Sequence, residues 1–301
     1  MFHITLVNKV LDVYFKGCSS ADLAKKSVAL GVITSCFLIA IKCIAWLLTD
    51  SLSLQASMSD SILDALSSFL AYHALIFSSV KFDDNHNYGH EKVEGIMALF
   101  QCLVVVYSGI MIFKEAYEAF ADPHPISNSY VGIIIMVVSC VAVYQLLYFQ
   151  RYVAFKTDCL LVKGDSLHYM SDFFMNICIM LSLILSGFFA YVDVICGVIV
   201  GCYVLYNALL IIKNALIDLM DESLPKKVRD EIIDAVKSVK GVKDIKILRT
   251  RSAGMKKYVD ARIIVDKKLS FADANKIEND VEDRITQMFE KVDVMIKAET
   301  K

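Results

Sequence analysis

No glycine-rich nucleotide loop occurs anywhere in the 301 residues, so nothing in the chain binds ATP by a recognised phosphate cradle. Cysteine is present nine times, yet never in a CxxC pair, and none lies beyond Cys202. That spacing excludes a zinc ribbon or a dithiol redox motif and leaves the thiols as small buried apolar residues. Histidine is scarce, with six in all and none after His168, too few for a histidine-rich di-iron membrane enzyme. The first 26 residues carry Lys9, Lys16, Lys25 and Lys26 but no apolar core followed by a small-residue cleavage site. No signal peptide is therefore predicted, and the first apolar span is expected to insert uncleaved. Internal repeats, low-complexity tracts, kinase motifs and nucleic-acid-binding motifs are also missing, which removes nucleic acid as a partner.

What the chain has in excess is apolar residues, 56% of the whole, and the excess is concentrated before about residue 220. Six runs approach the length of about 20 residues that a bilayer requires. They are placed at 28–48, 53–79, 95–119, 129–150, 160–187 and 191–214, after a short, partly amphipathic lead-in over 1–27. The connection Thr49-Asp50-Ser51 is so short that the first two spans form a tight antiparallel pair. Basic residues Lys25, Lys26, Lys81, Lys92, Arg151, Lys156, Lys163 and Lys213 flank one side of the spans. The other side carries Asp50, Asp122-Pro123-His124-Pro125 and Ser186-Gly187 without Lys or Arg. Both termini are predicted to be cytoplasmic, in an inner (plasma) membrane protein.

The formal net charge of −2 hides an asymmetry. From Leu224 onward there are nineteen Lys and Arg against fourteen Asp and Glu, leaving twelve against nineteen for the preceding part. The pattern after Asp221-Glu222-Ser223-Leu224-Pro225 is that of a small soluble fold. Residues 226–239 place Val228, Ile232, Ile233 and Val236 on one helical face, and 243–251 and 256–266 form a hairpin around Ser252-Ala253-Gly254. Residues 271–289 are helical again, and Val292–Ile296 reads as a last strand. The fold class is an α-helical membrane protein of six transmembrane helices (28–220) with a small α+β domain, α-β-β-α-β, at 221–301.

Charges inside the spans carry the chemistry. Asp60 and Asp64 in the second span, and His168 and Asp172 in the fifth, are each four residues apart, so each pair leaves one helix face one turn apart. Both pairs lie roughly 12–18 Å in from opposite ends of their spans, which brings them to one level near the middle of a core about 30 Å thick. A lone carboxylate there costs roughly 2.5–3.5 kcal/mol, so three of them call for a counter-ion or a function. The plain alternative is hydrogen bonding between helices by protonated acids.

Three oxygen donors and one nitrogen donor suit zinc or another borderline divalent cation better than calcium or copper(I). The imidazole tilts the choice towards zinc, ferrous iron or cadmium, with manganese compatible on ligand chemistry. Loss of the metal would leave neighbouring carboxylates repelling one another, so protons would enter as metal leaves. Asp165, on the same face three residues before His168, is a candidate for passing protons or guiding ions, or simply a polar inner end of the span. Three rival readings are a membrane metal sensor or scaffold, an integral-membrane metalloenzyme, and a channel.

Four stretches give the chain a likeness: Ser59-Asp60-Ser61-Ile62-Leu63-Asp64, Asp83-Asp84-Asn85-His86-Asn87-Tyr88-Gly89-His90, Leu167-His168-Tyr169-Met170-Ser171-Asp172 and Leu248-Arg249-Thr250-Arg251. In this order on six spans they resemble the cation diffusion facilitators, in particular the bacterial zinc and ferrous-iron efflux branch, over about residues 20–298. The resemblance implies a homodimeric antiporter that exports metal against inward protons, needs no catalytic cofactor, and carries a cytoplasmic metallochaperone-like domain. It implies Asp60, Asp64, His168 and Asp172 as transport ligands, and Asp83, His86 and His90 as a second metal site in the loop. Read on their own residues, those three are two imidazoles and a carboxylate within eight residues, or else a solvated polar loop. The resemblance also implies a charge pair, Lys92 with Asp221, between the two domains.

The chain departs from the resemblance in its last domain, where histidine ligands are implied at positions that hold Lys246, Arg262, Asn275 and Lys297. Cationic side chains repel zinc. Metal-driven tightening of the dimer through that domain is therefore expected to be absent or weak. Three further residues are read as structural: Lys42 as a snorkelling or protein-facing lysine, His73 as a packed core histidine, and His124 as an outer-loop residue.

Overall fold

The computed structural model describes residues 17–49, 52–80, 82–121, 130–185 and 192–300; within those helices some side chains, that of Asp60 among them, lie outside the described set. Expectations on Asp50, Lys81, Asp122, His124 and Ser186-Gly187 also fall outside the described residues. The chain divides into two compact units at Ala215/Leu216.

The first unit is a bundle of long helices: α1 (Ser20–Thr49), α2 (Leu52–Ser78), α3 (Val93–Ala121), α4 (Tyr130–Thr157), α5 (Leu160–Leu185) and α6 (Val192–Leu219). α1 begins eight residues before the expected span because Ser19 caps it, its Oγ accepting the Asp22 amide at 3.1 Å and donating to the Asp22 carboxylate at 2.8 Å. Five of the six carry an apolar stretch of 18 to 28 residues that can cross a bilayer. α5 is the sixth, and its stretch is interrupted by Lys163, Asp165, His168 and Asp172. Leu38, Val105, Val143, Leu146, Leu167, Tyr169, Val200 and Val204 from α1, α3, α4, α5 and α6 make the core.

α4 stops at Asp158, whose backbone takes the left-handed φ of 55°, while its amide still bonds Ala154 O at 3.1 Å. Two residues thus connect α4 to α5, and Lys163 pairs with the Asp158 carboxylate. α5 is thereby set against α4 from its first turn.

The second unit starts in the last turn of α6 and contains α7 (Lys226–Lys237), β1 (Asp244–Ala253), β2 (Lys256–Val265), α8 (Phe271–Thr286) and β3 (Val292–Thr300). β1 and β2 form the expected hairpin, turning at Gly254 with φ 55°. β2 and β3 run parallel, a pairing that requires a crossover, and α8 supplies it. Ile232 and Val236 of α7, Val259, Ile263 and Val265 of β2, and Ile277, Val281 and Ile285 of α8 close the core. β3 is longer than its apolar residues indicate: Lys297–Thr300 pair with Arg262–Val265, so backbone bonding extends the strand through polar sequence. Asp218 and Asp221, just before this unit's first helix, hold the hairpin through Gly254 N (3.0 Å) and Arg251 Nη1 (3.0 Å).

Candidate metal centre

α2 and α5 bring the intramembrane charges together. His168 Nε2 lies 2.7 Å from Asp64 Oδ1 and 3.9 Å from Asp172 Oδ2, and one ligand atom from each of the three residues falls within 4.8 Å of the others. Their side chains are 11%, 14% and 37% exposed, so the site is sheltered and Asp172 forms its open edge. The backbone of Asp60 sits one turn before Asp64 on α2; its side chain lies outside the described residues. Two carboxylates and an imidazole at this spacing can ligate a borderline divalent cation with room for a further donor.

The second constellation is built by a turn between α2 and α3. Asp83 Oδ1 accepts the amides of Asn85 (2.9 Å) and His86 (2.6 Å), which closes an Asx-type turn. Those backbone bonds from His86, with its imidazole beside them, hold the Asp83 carboxyl below its ordinary range. Gly89, at φ 94°, lets the chain double back so that the His86 and His90 rings meet, tilted at 43°, with centroids 4.4 Å apart. His86 Nδ1 then lies 3.1 Å and His90 Nε2 3.5 Å from the Asp83 carboxylate, with one ligand atom from each residue within 4.8 Å of the others. Asp83 is half exposed, whereas the His90 ring is buried against Phe77 at 4.6 Å.

Lys42 faces the protein, donating to Ser61 Oγ at 2.7 Å. His73 is not a core residue: it is exposed, bonded through Nδ1 to Phe69 O at 3.0 Å and packed on the Phe69 ring at 4.2 Å. The reason is angular, since nine helical residues past Asp64 the side chain points off the packed face. Asp221 is engaged by Arg251 within its own unit. Lys246 sits at a β-bulge and reaches Glu299 Oε2 at 2.7 Å, and Arg262 reaches the other oxygen at 3.3 Å.

Sequence reasoning missed the polar partners around the centre. Asp165, wholly buried, accepts from Ser68 Oγ (2.8 Å), Gln150 Nε2 (2.6 Å) and Gln101 Nε2 (3.4 Å). The Tyr169 hydroxyl meets Ser35 Oγ (2.6 Å), Ser68 Oγ (2.9 Å) and Gly31 O (3.1 Å). Gln101 lies inside an apolar run, and that oddity was an available signal, whereas Gln150 closes its run beside Arg151 and gave none.

An apolar six-helix bundle that buries a carboxylate–imidazole cluster, followed by a polar α+β unit, defines a multi-pass membrane protein of the cation-transporting class. The family model for the cation efflux transmembrane domain matches residues 28–220, and that for the cation efflux protein cytoplasmic domain matches 224–301. A Cation-efflux pump FieF of Escherichia fergusonii is 33% identical over 279 residues, 92% of this chain and 93% of its own length. Protein p34 of Rickettsia rickettsii is 32% identical over 275 residues, covering 91% of each chain. Among solved structures, a MamM CTD covers 25% of this chain and 94% of its own at 25% identity and a TM-score of 0.25. The chain belongs to the cation diffusion facilitator family, a family of membrane cation transporters.

Proposed function

We propose that the protein is a proton-coupled antiporter exporting divalent metal from the cytoplasm, zinc and ferrous iron first, with cadmium and manganese as further cargo the donor set admits. The observation that carries this reading is the convergence of Asp64, His168 and Asp172, with ligand atoms within 4.8 Å, inside membrane-spanning helices. Asp60, one turn before Asp64, completes a set of three carboxylates and one imidazole. Such a cluster binds a dication by neutralising it. Once the dication leaves, the carboxylates repel one another and the imidazole is free, so the emptied site takes up protons. Exposing the site alternately to the two sides couples the fluxes in opposite directions without a nucleotide.

Asp83, His86 and His90 form a second metal site at the loop side, where cargo arrives. In this reading the protein works as a homodimer in the inner membrane, with both termini cytoplasmic. The likeness to FieF cation-efflux pumps over nearly the whole chain supports export as the direction.

Zinc and ferrous-iron flux measured together with proton flux in proteoliposomes tests the proposal. Coupled fluxes that vanish together in Asp64→Ala are expected, and His168→Asp is expected to change the preference among metals. Metal binding with no flux in either direction would leave a sensor or scaffold. Conductance independent of protons would make the protein a channel.

A further inference from the structure

The hydrogen bonds around Asp165 and Tyr169 form one layer. Gly31 and Ser35 come from α1, Ser68 from α2, Gln101 from α3, Gln150 from α4, and Asp165 and Tyr169 from α5. Five of the six helices are therefore joined around Asp165 and Ser68, one turn before His168 on α5 and one turn after Asp64 on α2, with the Tyr169 hydroxyl reaching Ser68 from beside His168. The metal cluster begins one turn further on, so the layer stands between that cluster and the end of the bundle where the Asp83 loop enters.

Proton accounting gives the layer a direction. Asp165 accepts from three donors, two amides and a hydroxyl. Ser68 gives its one proton to Asp165 and Ser35 donates to Tyr169, so the single phenolic proton of Tyr169 serves one of two acceptors in reach, Gly31 O or Ser68 Oγ. The packing is close: a Cβ at Gly31 would stand 3.2 Å from Asp165 Oδ2, and one at Gly164 3.0 Å from Gln101 Oε1. The layer is also imperfect. Gln101 Oε1 and Gln150 Oε1 are buried and find no hydrogen-bond partner among the described residues, because both amides turn their nitrogens to the carboxylate. A buried acceptor left alone opposes closure, so this contact is tight but poised to part.

We infer that Asp165 is a positioning residue that seals the transport site on the loop side, and that cargo passes only when Ser68, Gln101 and Gln150 release its carboxylate. Once released, the carboxylate stands one turn before His168, next in line for an incoming cation. The direction of traffic rests on the exporter reading; the seal itself does not.

The native thiol of Cys102 reports on the seal, being fully buried and adjacent to Gln101 on α3, while exposed Cys36 serves as the reference. The full-length protein in detergent is treated with a small methanethiosulfonate, and modification of each cysteine is followed by peptide mass mapping. Asp165→Ala removes the acceptor shared by three donors and is expected to raise the Cys102 rate at least about tenfold relative to Cys36. Asp165→Asn is expected to stay within about threefold of the parent, because its amide can donate to a Gln carbonyl oxygen that now has no partner. Ser68→Ala, which deletes one hydroxyl and leaves the rest of the cage, should fall between them.

The inference is overturned if Cys102 stays protected in both alanine variants. It is equally overturned if Asp165→Asn opens Cys102 as far as Asp165→Ala does, or if every variant exposes Cys159 at the same rate as Cys102, which marks general unfolding. The assay needs no transport, so a failed flux experiment and a failed seal are separate results.

Discussion

Asp64→Asn tests the metal centre with little change of shape. In the metal-free protein two effects oppose each other. The variant weakens the contact to His168 Nε2 at 2.7 Å, a hydrogen bond to a charged group worth about 1.5–3 kcal/mol. It also relieves repulsion from Asp172: two carboxylate oxygens within 4.8 Å of each other cost at least about 3.5 kcal/mol at an effective dielectric near 20. The apo stability should therefore change by no more than about 2 kcal/mol.

The zinc-dependent increment should change much more. Zinc at about 100 times its dissociation constant stabilises the parent by about 2.7 kcal/mol. Partners one shell out from a metal are worth about 10–100-fold in affinity, so a lost ligand should cost at least about 100-fold. At the same zinc concentration the increment then falls to about 0.4 kcal/mol. The assay is thermal unfolding in detergent with and without zinc, in a His86→Ala, His90→Ala background that removes the loop cluster. A zinc increment equal in both proteins would refute the assignment of Asp64 as a ligand.

Three other outcomes are expected. Titrating zinc into the parent and into His90→Ala by calorimetry should show one tight site fewer in the variant, with the site containing Asp64 retained; unchanged stoichiometry counts against the loop site. A protein lacking both clusters should retain no tight zinc site, because the C-terminal unit contains no His or Cys and Lys246 and Arg262 already bracket Glu299. In the folded protein the Glu299 carboxyl is held below its ordinary value of 4.5, Lys246 being the main cause, so its contribution is present above that value and is lost as pH falls through the folded value. Glu299→Gln should flatten the stability–pH curve of this unit in that acid window, and an unchanged slope would show that the ion pairs contribute nothing there.

How much could be read from sequence depended on whether a feature was local. The four-residue spacing of His168 and Asp172, and the matched depth of Asp64, are properties of single helices, and the packing joined them as helix geometry requires. The Asp83 loop was legible for the same reason, since its turn is made within four residues, Asp83 to His86, and by Gly89. The cage around Asp165 was not, because each donor comes from a different helix and one polar residue in an apolar run does not reveal which neighbour it faces. His73 went wrong because a residue half a turn of the helix away from the Asp64 face was still read as packed core, whereas that face of α2 is exposed at His73. β3 was underestimated because its last four residues are kept in the sheet by backbone pairing with β2.

The two-residue connection between α4 and α5 bears on how the protein enters the membrane in the first place. α5 carries Lys163, Asp165, His168 and Asp172, and an acid at mid-helix such as Asp172 opposes insertion by roughly 2.5–3.5 kcal/mol when a helix enters lipid alone, with Asp165 adding to that cost nearer the helix end. α4, strongly apolar, precedes it immediately, and its Gln150 supplies the closest amide donor to Asp165. Insertion of the two as a hairpin would give the Asp165 carboxylate a partner before it meets hydrocarbon. Biogenesis of the charged helix then depends on its neighbour, and lengthening the Asp158-Cys159 turn should reduce the amount of protein reaching the membrane even though no metal-binding residue has been touched.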